Sequence, residues 1–335
     1  MKNNTKYLSL LALLSVLLLG CRIESNVASV SDASAYSPAA QLLIQEAFAP
    51  FKGDTLVDHH VHILGMGNSD SGIEVHPNTQ SILYPNKFTR FNYFMDASGI
   101  LNKNLADEEY LKYLLAQIKA IPVTYQALSL ALDKLYQING DVDPDNFEIY
   151  IPNDYVVRLN RQFPDHLLPA ISVHPYRKDA IDELEKWAAM GVRVVKWVPN
   201  AQGIDPSSEL CDLFYEAMHR LDMVLLSHAG TEQALDSQGR QYLGNPLLLR
   251  KALGAGVKVI VAHCAVSGQS EDIDDPERPD VDNFELFMRL FDDPGYEGLL
   301  FADISGMTLL SQIGDPLKIM LSRADLHHRL LYGSD

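Results

Sequence analysis

Cysteine is scarce in this chain: three in 335 residues, at positions 21, 211 and 264. With Cys21 set aside directly after the N-terminal leader, only Cys211 and Cys264 remain, too few for a disulfide framework. Basic charge is short as well, with 27 Lys and Arg against 44 Asp and Glu for a formal charge of −17. Phosphate neutralisation needs a basic face, so nucleic acid is excluded as a partner. No apolar run has the length of a membrane span; residues 8–19 are nearly unbroken but too few. There is no repeat of the solenoid kind. What is present is a hydrophobic fraction of 47%, the share of a globular protein, so stability must come from a packed core.

Lys2 and Lys6 ahead of the apolar run 8–19 form the charged and hydrophobic parts of a signal peptide. The run ends in Leu18-Leu19-Gly20-Cys21, which resembles a bacterial lipobox, with cleavage before a lipidated cysteine. That resemblance implies a lipoprotein signal peptide over 1–20, lipidation at Cys21, and a membrane-anchored protein on the non-cytoplasmic side of a bacterial cell envelope. Residues 21–45 start rich in Ser, Ala and Val with no period and are expected as a flexible tether. Residues 46–335 are expected to form the folded α/β domain.

From residue 55 onward, short β-rich apolar runs alternate with helical stretches. The β runs cover 55–62, 127–132, 167–173, 192–198, 223–228, 257–263, 298–304 and 330–333. Most are continuous in Val, Ile and Leu, as in parallel strands covered on both faces. Eight of them with helical crossovers predict a (β/α)8 TIM barrel. The long stretches 63–122 and 133–164 are expected as lids over the barrel mouth rather than a separate domain.

Residues that carry chemistry recur at the strand ends. In "TLVDHHVHILG" side chains alternate, so Asp58, His60 and His62 should share the face that points into the barrel. Val57, His59, Val61 and Ile63 should share the other, which makes His59 structural. Two imidazoles at i and i+2 reach a single cation. "MVLLSHAG" then ends in His228, "VIVAHC" in His263 and "LLYGSD" in Asp335, spaced by roughly one βαβ unit. In a barrel the carboxyl ends of the strands carry the active site. Neutral imidazoles with one carboxylate suit Zn2+, with Mn2+ or Fe2+ as alternatives.

Taken together, Asp58-x-His60-x-His62, the strand-end residues His228 and His263, and Gly333-Ser334-Asp335 resemble the amidohydrolase superfamily. The branch is the amidohydrolase-related group that includes aminocarboxymuconate-semialdehyde decarboxylase, and the resemblance runs over about 56–335. It implies one divalent metal held by His60, His62, His228 and Asp335. Asp335 would also be catalytic, and His263 would stand beside the metal as acid/base or polarising group. Lys196, in "GVRVVKWVPN", keeps a rival open, since related binuclear enzymes carbamylate a lysine there to bridge two metals. His228 and His263 would then bind the second ion; alternatively Lys196 neutralises nearby carboxylates or binds substrate.

His174 and Asp303 also end strands and are expected to contact substrate, orient ligands or serve the fold. Arg90 is expected to meet a substrate carboxylate from the lid, and Cys264 to alternate away from the mouth. The implied activity is hydrolysis of a small amide, lactone or ester by a metal-activated water. Non-oxidative decarboxylation on the same ligands is the alternative, and a non-catalytic binding lipoprotein on a degenerate barrel is a third. The chain stops at Asp335 with no helix after the eighth strand, so a fragment or truncated product is expected.

Overall fold

The computed structural model describes residues 37–309 and 312–335. The leader 1–20, Cys21 and most of the expected tether lie outside the described residues. The end of that tether is helical instead: α1 (Pro38–Phe48) begins inside it. Ser37 Oγ accepts from Ala40 N at 3.2 Å, and Pro38 occupies the first turn, where no N–H partner is needed. Good helix formers follow the cap, and they sustain a helix without the Ser-rich stretch before it. Among the described residues no helix is long and apolar enough to cross a membrane.

Eight strands form one sheet in chain order. They are β1 (Thr55–His62), β2 (Thr124–Leu130), β3 (Leu167–Ile171) and β4 (Val194–Trp197). β5 (Val224–Ser227), β6 (Lys258–Val261), β7 (Leu300–Asp303) and β8 (Leu330–Leu331) complete it. Every neighbouring pair is parallel. β8 returns to β1 through His59 N to Tyr332 O at 2.9 Å and Asp335 N to His60 O at 2.8 Å, which brings the ends of a TIM barrel together.

Helices fill the crossovers: α2 (Pro85–Ala97) and α3 (Ala106–Ala120) after β1, then α4 (Asn153–Gln162), α5 (Ala180–Ala189) and α6 (Asp212–Arg220). α7 (Arg250–Gly254), α8 (Asn283–Phe291) and α9 (Asp315–Ser322) follow β5, β6 and β7. Leu128, Leu130, Ala170, Leu226, Ile260 and Ala262 pack inside the barrel. Val195, Trp197, Leu225 and Val259 face outward against helix residues such as Leu184, Trp187, Phe214 and Phe287. Each aliphatic side chain so buried contributes about 1.5–3 kcal/mol.

The expected lids are shorter than 63–122 and 133–164. α3 buries Leu114, Leu115 and Ile118 in the outer core, and α4 buries Tyr155, Val156, Val157 and Leu159 there. These are the barrel's own crossover helices, with the amphipathic stripe that role requires. The remaining parts of the two excursions are joined by an antiparallel pairing of Glu74–Val75 with Ile149–Tyr150.

β1 departs from simple alternation. It pairs Asp58 with Ala127 and Val61 with Ser129, three residues against two, so one residue bulges. Leu56 before the bulge and Val61 and Ile63 after it all pack in the outer core, so the alternation changes phase between them. Asp58 therefore does not share a face with His60 and His62, as strict alternation would have it. Its carboxylate accepts from Tyr125 OH at 2.6 Å and from the backbone N of His60 and Ser334, each at 3.0 Å. Asp58 braces β1 against β2 and β8.

Candidate metal centre

The inward rows of the barrel end in polar residues. Val194 on β4 is followed two positions later by Lys196, Leu226 on β5 by His228, and Phe301 on β7 by Asp303. On β8 the row Leu331, Gly333, Asp335 does the same. A Cβ on Gly333 would lie 2.9 Å from Ser305 Cβ and 3.0 Å from His60 Cβ, so only glycine lets β8 pass this close.

His263 breaks the parity, because Ile260 and Ala262 are the inward residues of its strand. Three successive left-handed residues, His263, Cys264 and Ala265 with φ of 56°, 49° and 52°, turn its ring into the site. Such backbone costs roughly 1–2 kcal/mol per residue, and strain of this sort gathers at functional positions. The ring stacks on His60 with centroids 4.8 Å apart and meets His228 edge-on at 5.4 Å.

His60, His62 and Asp335 converge. His60 Nε2 is 3.2 Å from His62 Nε2 and 3.5 Å from Asp335 Oδ1, and His62 Nε2 is 3.3 Å from Asp335 Oδ1. Ligands at the usual 2.0–2.2 Å around a tetrahedral ion stand about 3.3 Å apart. The three atoms therefore fit one divalent cation. His60, His263 and Asp303 form a second group of close donors.

Hydrogen bonds fix which ring nitrogens are free. His60 Nδ1 donates to Asp303 Oδ2 at 2.9 Å, so its Nε2 lone pair turns to His62 and Asp335. Burial and then the nearby Lys196 ammonium push the His60 pKa down to about 3 against the pull of Asp303, leaving a neutral imidazole. Asp303 is fully buried, and its Oδ1 accepts from His263 N at 2.9 Å, Ser305 N at 3.1 Å and Ser305 Oγ. Burial alone would raise its pKa, but the His60 partner and these donors hold it well below the usual carboxylate range. Since Ser305 Oγ donates to Asp303, it accepts from His263 Nδ1 at 2.8 Å, and Ser305 O accepts there too at 3.2 Å. His263 Nδ1 thus carries a hydrogen, and Nε2 is the nitrogen these contacts leave open.

Asp335 is likewise held below the carboxylate range: burial pushes up, but the His62 bond with His60 and His263 nearby outweighs it. His228 is buried, and burial lowers its pKa to about 4 despite Glu232. Its Nε2 is buried with no hydrogen-bond partner among the described residues. Lys196 is 1% exposed, with Nζ 3.1 Å from His60 Nε2. Burial lowers its pKa, while Asp303, Asp335 and Glu232 oppose that shift.

The structure thus gathers His60, His62, Lys196, His228, His263, Asp303 and Asp335. It keeps His174 apart. That ring donates Nε2–H to Gln202 O at 2.9 Å and accepts from Tyr176 N at 3.2 Å, which uses both nitrogens within the fold. Arg90 is spent on Glu148, with both carboxylate oxygens 2.7 Å from Nη2. His59 Nδ1 lies 3.2 Å from Tyr332 O, at the β8 closure. Cys264 is buried and its Sγ donates to Asp303 O at 3.3 Å. Sequence reasoning missed Ser305 and Glu232. Both follow a strand-end residue within four positions, the only signal either carries.

No family model and no curated protein matches the chain. Among solved structures it is similar to an uncharacterised TIM-barrel protein from Bordetella bronchiseptica, at 16% identity over 84% of this chain and 85% of that one, with a TM-score of 0.53. It is also similar to 5-carboxyvanillate decarboxylase from Novosphingobium aromaticivorans, determined with bound manganese and 3-methoxy-4-hydroxy-5-nitrobenzoic acid. That likeness has 12% identity over 84% of this chain and 87% of that one, and a TM-score of 0.53. At such identities the likeness establishes the barrel fold.

Proposed function

We propose that the chain is a metal-dependent hydrolase of the amidohydrolase superfamily, acting on a small amide, lactone or ester at a mononuclear centre. The carrying observation is the set of His60 Nε2, His62 Nε2 and Asp335 Oδ1 within 3.2–3.5 Å of one another, with His60 Nδ1 fixed on Asp303. These three residues would hold the ion, and His228, with its unpartnered Nε2, would be the fourth ligand. Zn2+ suits three imidazoles and a carboxylate; the manganese of the carboxyvanillate decarboxylase makes Mn2+ the alternative. When bound, the ion would polarise the substrate carbonyl and lower the pKa of the attacking water.

The protein's own groups then handle the proton. Asp335 Oδ2, the oxygen on the His263 side at 3.8 Å from Nδ1, accepts it from the water. Asp335 would then pass that proton to the leaving group, and His263, with Nδ1 engaged by Ser305, would have Nε2 open to the reacting atoms as acid/base or polarising group. One observation favours a second reading, non-oxidative decarboxylation. Lys196 is a buried cation at the cluster, able to anchor a carboxylate. We also propose lipid attachment at Cys21, which would carry the barrel on the cell-envelope membrane.

Product analysis tests the reading. Protein loaded with Zn2+ or Mn2+ would be offered lactones, amides, esters and aromatic carboxylic acids. Hydrolysis products are expected, with turnover lowered roughly 10²–10⁴-fold in His263→Ala. Release of CO2 from the acids would replace the hydrolase by the decarboxylase, and a metal-loaded protein that turns over neither class would sink both.

A further inference from the structure

The centre sits at the carboxyl ends of the strands, and the opposite end of the barrel carries an element it does not use. α1 runs through the turn Ala49–Phe51 towards Thr55, the first residue of β1, so it is tied to the amino end of the barrel. None of its residues is buried, and none joins a core cluster among the described residues. Ala40, Gln41, Ile44 and Phe48 are half-covered and share one face of the helix. Ala39, Leu42, Leu43 and Glu46 share the opposite face, where Leu42 is 55% and Leu43 66% exposed. A surface helix ordinarily turns polar residues outward. This one turns two leucines outward, and Phe51 just beyond its end is exposed as well.

Charge is as unusual as exposure. Between Ser37 and Phe51 the only ionisable side chain is Glu46, in a chain that is 21% charged and carries −17 overall. The acidic surface elsewhere is repelled by anionic headgroups, whereas an exposed apolar face with so little charge suits a lipid surface. The chain ahead of α1 points the same way. From Cys21 to Ser37 it spans at most about 60 Å when fully extended. α1 is the first described element after the cysteine proposed to carry lipid. Even a weak affinity of α1 for the bilayer then acts at the high effective concentration a short connection gives.

We propose that α1 lies on the bilayer surface through Leu42 and Leu43, with the amino end of the barrel towards the membrane and the mouth away from it. The inference rests on the lipid attachment proposed at Cys21. Glu46, one turn beyond Leu42, keeps the helix at headgroup level rather than in the hydrocarbon. Substrate then reaches the centre from the aqueous side and not from the lipid.

The test uses the protein purified from cells grown with labelled palmitate and reconstituted in phosphatidylcholine vesicles whose acyl chains carry bromine, a quencher of indole emission. Trp187 and Trp197 are 1% and 0% exposed, so wild-type emission is the unquenched baseline. The indole added by Leu43→Trp is expected to emit at shorter wavelength and to lose most of its emission to the brominated lipid. Leu83→Trp is the control, since Leu83 is 82% exposed on the excursion that leaves the carboxyl end of β1. Its added emission is expected to survive. Both side chains are exposed, so neither variant disturbs the core. A labelled, vesicle-bound protein in which Leu43→Trp stays unquenched, or in which Leu83→Trp is quenched, overturns the proposal. Protein that takes up no label would instead defeat the anchor at Cys21, and this inference with it.

Discussion

Replacing Asp303 by asparagine tests whether the site is built on the proton positions deduced from its hydrogen bonds. Three donors face Oδ1, from His263 N, Ser305 N and Ser305 Oγ, so the asparagine oxygen takes that side. Its NH2 group then meets His60 Nδ1, 2.9 Å away in the parent. Two N–H groups cannot face each other at that distance. His60 must move its hydrogen to Nε2, the nitrogen 3.2 Å from His62 Nε2, and a protonated Nε2 cannot bind a cation. Restoring the ligand tautomer leaves a buried donor opposed to another, at a cost of about 1–3 kcal/mol. That is a factor of roughly 5–150 in metal affinity at about 1.4 kcal/mol per tenfold. Nitrogen-15 correlation spectra of the metal-free protein report the tautomer directly, and calorimetry reports the affinity. An Asp303→Asn protein with His60 still carrying hydrogen on Nδ1, or with wild-type affinity, would refute the reasoning.

Three further outcomes are expected. His174 has its pKa lowered to about 3 by burial, against the 6.5 of an open imidazole. As pH falls from 6.5 towards 3 the unfolded chain takes the proton first, so the folded state loses up to about 5 kcal/mol there and nothing above pH 6.5. Urea midpoints of His174→Gln should therefore fall less steeply across that window, and parallel acid limbs would count against it. Gly333→Ala forces a Cβ to 2.9 Å from Ser305 Cβ and 3.0 Å from His60 Cβ. Overpacking of about 1–3 kcal/mol should lower Tm by several degrees and weaken metal binding, whereas an unchanged Tm would mean β8 does not pass as described. Cys21→Ser should abolish lipid labelling and move the protein from membranes to the soluble fraction; persistent labelling would remove the anchor.

The barrel was legible because its eight strands are short and apolar on both faces, a pattern that survives without knowledge of contacts. All eight β runs read from the sequence overlap the eight strands of the sheet. Within the site, position at a strand end pointed to Lys196, His228, Asp303 and Asp335; in the structure the first three stand two positions beyond an inward apolar residue and Asp335 four beyond Leu331. Parity failed wherever the backbone left regular geometry. The β1 bulge turned Asp58 to Tyr125, and alternation has no term for an extra residue. The left-handed turn at His263 put an off-parity residue into the site, which the sequence suggested only through its position after a strand. His174 looks like its neighbours in sequence, yet the loop that brings Gln202 O within 2.9 Å removes it from the chemistry. Glu232 lies on a loop and Ser305 on a turn, where side-chain direction depends on local geometry rather than on a period.

Metal content of the purified full-length protein, measured by mass spectrometry in wild type, His60→Ala, His59→Ala and Lys196→Met, tests the centre most directly. About one equivalent is expected in wild type, in His59→Ala and in Lys196→Met, and none in His60→Ala. Two equivalents in wild type that vanish in Lys196→Met would replace the single ion by a lysine-bridged pair. A full equivalent retained in His60→Ala would contradict the account.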